Sequence, residues 1–137
     1  MRKGLEHLIL ALDVERPDEG KELLSSLRGG LKYVKIGYQL YARGGAPFLR
    51  EAREMGLSIF LDLKLHDIPN TVSQAVEALA EHGLWALTLH CAGGRRMLEE
   101  ARRARDKCGS DMSLLGVTVL TSFDRRGLFY TEGQTLD

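Results

Sequence analysis

The chain has little cysteine. Its two, Cys91 and Cys108, form no CxxC or other metal-type spacing. That pattern argues against a disulfide scaffold or a thiolate zinc site and fits reduced thiols in a cytoplasm. Net charge is missing too, since 19 Lys and Arg balance 19 Asp and Glu. No global field draws the chain toward nucleic acid or an anionic membrane. Long apolar runs are lacking: the longest are around six to eight residues, far short of the roughly 20 that cross a bilayer. The opening MRKGLEHLILALDVE has the outline of a signal peptide, but Glu6 and His7 interrupt it. Asp13 and Glu15 then end it with no small-residue cleavage site. No linker or low-complexity segment divides the 137 residues, which fit one domain, and 44% hydrophobic residues suffice for a core.

What is present is a strand-then-helix rhythm. HLILALDV (7–14), YVKIGY (33–38), SIFLDLKL (58–65), WALTLHC (85–91) and SLLGVTVLT (113–121) read as five strands. Four helices are predicted between them, over 18–27, 47–55, 71–82 and 95–107. Pro17 stands near the first helix start, Gly56 stops the second, and Thr71-Val72-Ser73-Gln74 fits a capping box for the third. Alternating strands and helices predict an α/β fold with a parallel, right-handed sheet. The rhythm leaves open whether that sheet is flat or closed into a barrel. It stops after Thr121, so 124–137 reads as an irregular tail.

The ends of the strands are unusually charged. Strand one ends in Asp13, strand two carries Lys35, and strand three carries Asp62 and Lys64, with Asp67 just beyond. Side chains alternate along a strand, so Asp62 and Lys64 share one face while Leu61, Leu63 and Leu65 take the other, under the helices. Unpaired charge on an inner face costs several kcal/mol in lost hydration. A structural ion pair is one explanation. The other is a row of two cations among three carboxylates built for chemistry. A lysine flanked by carboxylates keeps its proton, which suits a proton donor rather than a Schiff-base nucleophile. A carboxylate beside the reacting position repels an anionic group, which suits loss of that group and protonation of the carbanion left behind.

Taken in order, LALDV, YVKIG, FLDLKLHDIPNTV, LTLHCAGG and GVTVLTS resemble the orotidine 5′-phosphate decarboxylase family over about residues 7 to 123. DLKLHDIPNT is the most specific of these motifs. The resemblance implies a cofactor-free (β/α)8 TIM barrel, working as a cytoplasmic homodimer with shared active sites. Its reaction would be loss of CO2 from orotidine 5′-phosphate to give UMP in pyrimidine biosynthesis. It implies that Lys64 protonates C6 of the pyrimidine and that Asp62 lies against the substrate carboxylate and orients Lys64. Asp13 and Lys35 would contact the ribose hydroxyls, Asp67 and Thr71 would be lent to the neighbouring subunit's site, and Thr121 would touch the pyrimidine. No metal is implied. Magnesium-dependent sugar-phosphate members of the wider superfamily share the DxK pattern but carry an acidic residue where this chain has Lys35.

The family barrel has eight strands in about 250 residues, and five are legible here. No match appears for the Gln and Arg that hold the substrate phosphate in the family, and nothing in the sequence assigns Arg125 or Arg126 to that task. The expectation is therefore a truncated or frameshifted chain, or a piece of a longer one, with apolar edges on strands one and five and poor or no activity in isolation. Three readings follow: a decarboxylase cut short, an inactive dimerisation module, and a magnesium-dependent lyase. Other features read as bland. His66 is a loop residue, and His90 and Cys91 are core-packing residues at a strand end. Gly93-Gly94 is a tight turn. Helix 95–107, with six basic and three acidic residues, presents a solvated face.

Overall fold

The computed structural model describes residues 7–124. Among these residues five strands alternate with four α-helices: β1 (Ile9–Ala11), α1 (Pro17–Ser26), β2 (Tyr33–Gly37), α2 (Tyr38–Glu54), β3 (Ser58–Leu65), α3 (Pro69–Ala80), β4 (Ala86–His90), α4 (Gly94–Lys107) and β5 (Ser113–Val117). Every strand pair is parallel and the sheet order is β1-β2-β3-β4-β5. A doubly wound sheet would reverse its strand order at a switch point. Here each strand is followed by its own neighbour, so right-handed crossovers put all four helices on one face. That is the winding of a TIM barrel, seen here as five of its eight strands.

The helix-facing residues make the core. Val34, Ile36, Ile59, Leu61 and Leu87 are fully buried against Leu24, Leu49, Val76 and Met97 of the helices. Strand β3 shows the predicted alternation, with Leu61 and Leu63 buried and Asp62 and Lys64 only part-buried on the opposite, inner face. Because Leu61 is 0% exposed at the centre of this core, Leu61→Ala is expected to lower the unfolding free energy by about 2–5 kcal/mol. Urea denaturation measures this, and a loss below about 1 kcal/mol would contradict the packing described.

Several boundaries differ from expectation. Helix α2 starts at Tyr38, directly after β2, instead of at Pro47; Gly45, at φ 54° and ψ −154°, breaks it into two segments. Pro47 does open the second segment, where its fixed φ suits a helix start. Helix α3 starts at Pro69 with Ile68 as N-cap and no side-chain cap. Thr71 is thus inside the first turn and the predicted capping box does not form. Strands β1, β4 and β5 are shorter than expected, and Thr121 lies exposed in a turn beyond the end of β5.

The two edges of the sheet expose apolar side chains, as expected for an open barrel. Leu8 and Ile9 are 54% and 44% exposed at one edge, and Leu115 and Val119 are 38% and 46% exposed at the other. An apolar hollow of about 310 Å³ at the β1 edge is lined by Leu8, Ile9, Leu10, Leu27, Gly30 and Leu31.

Candidate active site

The inner face of the sheet has two tiers. Toward the N-terminal ends of the strands, Trp85 packs on Tyr33 with ring centroids 4.5 Å apart and edge-on to Phe60 at 6.3 Å. Toward the C-terminal ends, above this apolar floor, lie the charges. Lys35 pairs in register with Phe60, and Gly37 pairs with Asp62. Gly37 has no side chain to stand beside Asp62, and a Cβ built there would meet nothing within 4 Å. The long stem of Lys35 can therefore rise along an open face toward the carboxylate.

Asp62 is the hub. Its Oδ1 accepts a hydrogen bond from Lys64 Nζ at 2.9 Å and another from the Thr88 hydroxyl at 2.9 Å. Lys35 Nζ lies 3.6 Å from Oδ2. The Asp62 side chain is 13% exposed, against 27% for Lys35 and 29% for Lys64, so the network is partly shielded yet reachable. Within one chain the arrangement is one carboxylate between two ammonium groups.

The local backbone explains why. The β3–β4 register shifts between Leu61 and Leu65, and Lys64 adopts φ +45°, a left-handed conformation that residues with a Cβ rarely take. Two side chains take over backbone groups at this irregularity. The Lys64 N–H donates to Thr88 Oγ1 at 2.7 Å, and the Tyr38 hydroxyl donates to the Leu63 carbonyl. The sequence reading missed both residues. Thr88 had a faint signal, since alternation puts it on the same inner face as Ala86 and His90, but its partners lie 24 and 26 positions away.

The remaining candidates lie apart from this network. Asp13 is exposed past the end of β1. Asp67 is exposed in the turn after β3, and its Oδ1 accepts the Ile68 N–H at 2.6 Å. Thr71 is exposed on the first turn of α3. His66 is a loop residue, as expected, and its ring stacks on His90 at 5.2 Å and 27°. Buried His90 Nδ1 has no hydrogen-bond partner among the described residues.

Electrostatics at Asp62 has a clear sign. Burial pushes its carboxyl up, but hydrogen bonds from Lys64 and Thr88 and the charges of Lys64 and Lys35 outweigh burial and hold it below the ordinary carboxylate value. A carboxyl depressed by folding stabilises the fold above its unfolded pKa and loses that contribution as pH falls through its folded pKa. The contribution should therefore be constant above about pH 4 and fade below. Asp62→Asn is expected to remove this part of the acid dependence. An unchanged acid limb in chemical denaturation of Asp62→Asn would contradict it.

This geometry sits on a chain whose residues 6–135 match the family model described as "Orotidine 5'-phosphate decarboxylase / HUMPS family". The chain belongs to that family. The match runs past Phe123, where the legible motifs end. An orotidine 5′-phosphate decarboxylase of Chromohalobacter salexigens is 45% identical over 121 residues, 88% of this chain and 51% of that protein. One of Opitutus terrae is 46% identical over 115 residues, 84% of this chain and 50% of that protein. Among solved structures, the decarboxylase of Lactobacillus acidophilus superposes with a TM-score of 0.84 at 34% identity, covering 94% of this chain and 60% of that one. An uncharacterised conserved protein of Geobacillus kaustophilus gives 0.85 at 40% identity, covering 94% and 61%. The chain thus spans about half the length of the curated relatives it matches.

Proposed function

We propose that this chain carries the chemical centre of an orotidine 5′-phosphate decarboxylase. The observation that supports it most is the Asp62 carboxylate held between Lys35 and Lys64 on an open inner face at strand C-terminal ends, where TIM-barrel enzymes place their catalytic groups. In this reading the substrate carboxylate lies against Asp62. The C6–carboxylate bond breaks, its electron pair stays on C6, CO2 leaves, and the Lys64 ammonium delivers a proton to C6. The product is UMP, and Lys64 regains its proton from solvent. Asp13 and Lys35 hold the ribose hydroxyls, and Thr121 meets the pyrimidine. No cofactor takes part, and a cytoplasmic setting goes with the reaction.

Asp67 and Thr71 belong, in the same reading, to the site of a second copy. Their exposure fits this, as does the apolar groove of about 390 Å³ beside them, lined in part by Tyr38, Tyr41, Leu65 and Ala75. Sedimentation that finds only monomer at assay concentration would remove the homodimer from the proposal.

No described residue is assigned to the substrate phosphate, so turnover by the chain alone is expected to be slow, because remote binding energy drives chemistry at the reacting centre. The assay follows loss of orotidine 5′-phosphate absorbance and identifies UMP by chromatography. Slow UMP formation, unchanged by a chelator, is the expected result. Lys35 supports the chelator arm, since a cation at that position disfavours a bound divalent ion. Turnover that requires magnesium would favour the lyase reading instead. Binding to a full-length relative without any turnover would favour an assembly module.

A further inference from the structure

We propose that Thr88 is a positioning residue that fixes Asp62 and the Lys64 backbone in their working geometry; this rests on the decarboxylase reading above. Thr88 is 3% exposed and is the sole polar side chain in the buried class among the described residues. A buried hydroxyl needs partners, and the partners here determine where its proton points. The Lys64 backbone N–H can only donate, so Thr88 Oγ1 accepts from it at 2.7 Å. The single hydroxyl proton is then free for Asp62 Oδ1, 2.9 Å away. The hydroxyl therefore has a fixed direction, from the Lys64 amide through Thr88 to the carboxylate.

Both ends of this relay need it. At Lys64 the register shift has disturbed the β3–β4 ladder and the backbone is at φ +45°; Thr88 supplies the acceptor that this amide uses. At Asp62 the Thr88 proton and Lys64 Nζ converge on one oxygen, leaving Oδ2 turned toward Lys35. Without the hydroxyl, the carboxylate can rotate about its terminal torsion and the Lys64 amide loses its partner. Thr88 is not assigned to the substrate, so its effect should appear in the chemical step.

The test uses the 137-residue chain as wild type, Thr88→Val and Thr88→Ser. Carbon-13 NMR reads the Asp62 carboxyl titration, and hydrogen exchange reads the Lys64 amide. In Thr88→Val the Asp62 midpoint is expected to rise by about half to one pH unit. The Lys64 amide should exchange at least roughly tenfold faster. Thr88→Ser, which keeps the hydroxyl, should track wild type in both. A folded Thr88→Val with both readings unchanged would overturn the proposal, as would Thr88→Ser behaving like Thr88→Val. If Thr88→Val does not fold, Thr88→Ala is read in the same way. If neither Thr88→Val nor Thr88→Ala folds while Thr88→Ser does, the role is structural and the proposal fails. Where turnover is measurable, Thr88→Val should lower kcat and leave KM near wild type. The titration needs no substrate, so a wild type without turnover, even with the C-terminal half of a relative supplied in trans, counts against the decarboxylase reading and leaves the Thr88 result standing.

Discussion

Lys64→Ala is expected to lower decarboxylation by at least roughly a thousandfold, the upper part of the range for loss of a positioned proton donor. The geometry gives two reasons for a large effect. Lys64 Nζ is already held by Asp62 at 2.9 Å, so its reach and direction are set before substrate arrives. Its backbone is also locked in a left-handed conformation with the amide bound to Thr88, which fixes where the side chain leaves the strand. A solvent proton cannot reproduce that placement. The comparison is best made with the C-terminal half of the Chromohalobacter salexigens relative supplied in trans, where turnover should be faster. Equal rates for wild type and Lys64→Ala would remove Lys64 from the mechanism.

Asp62→Asn should cost on the order of a hundredfold or more in kcat, comparable to loss of one preorganised electrostatic contact. The substitution keeps the shape of the side chain but removes the charge facing Lys35 and Lys64. Two ammonium groups then share one region without a counter-ion, and the repulsion directed at the substrate carboxylate disappears. Binding of substrate should weaken less than catalysis, or even improve. An Asp62→Asn variant with wild-type kcat would show that the carboxylate is no more than one half of a structural ion pair.

Much of this arrangement was legible in the sequence because it depends on local periodicity. The alternation through Leu61, Asp62, Leu63 and Lys64 showed which side chains face the helices and which face inward, and the structure keeps that division. The rhythm alone left the sheet type open, whereas the family resemblance implied the barrel winding, and the order of neighbouring strands agrees with it. What escaped the reading depends on contacts distant in sequence. Nothing around Thr88 announces that its hydroxyl meets residues 24 and 26 positions earlier. The same is true of Tyr38, whose partner is the carbonyl of Leu63. The left-handed Lys64 was hidden because lysine carries no preference for that conformation. Without the register shift, charges on a regular strand read as a simple row, so the meeting of Lys35 and Lys64 on the one Asp62 carboxylate was not legible. The start of α3 was misjudged for a local reason: Pro69 fits a first helical turn and begins the helix ahead of the Thr71 signal.

The most direct test of the central claim, that the pyrimidine nucleotide sits on the Lys35–Asp62–Lys64 row, is an NMR titration of the chain with UMP. The account predicts saturable shifts centred on Lys35, Asp62 and Lys64, weakened in Lys35→Ala. Shifts confined to another surface, such as the opposite-end hollow lined by Arg53, Ser58, Trp85 and Asp111, or no shifts at millimolar UMP, would contradict it.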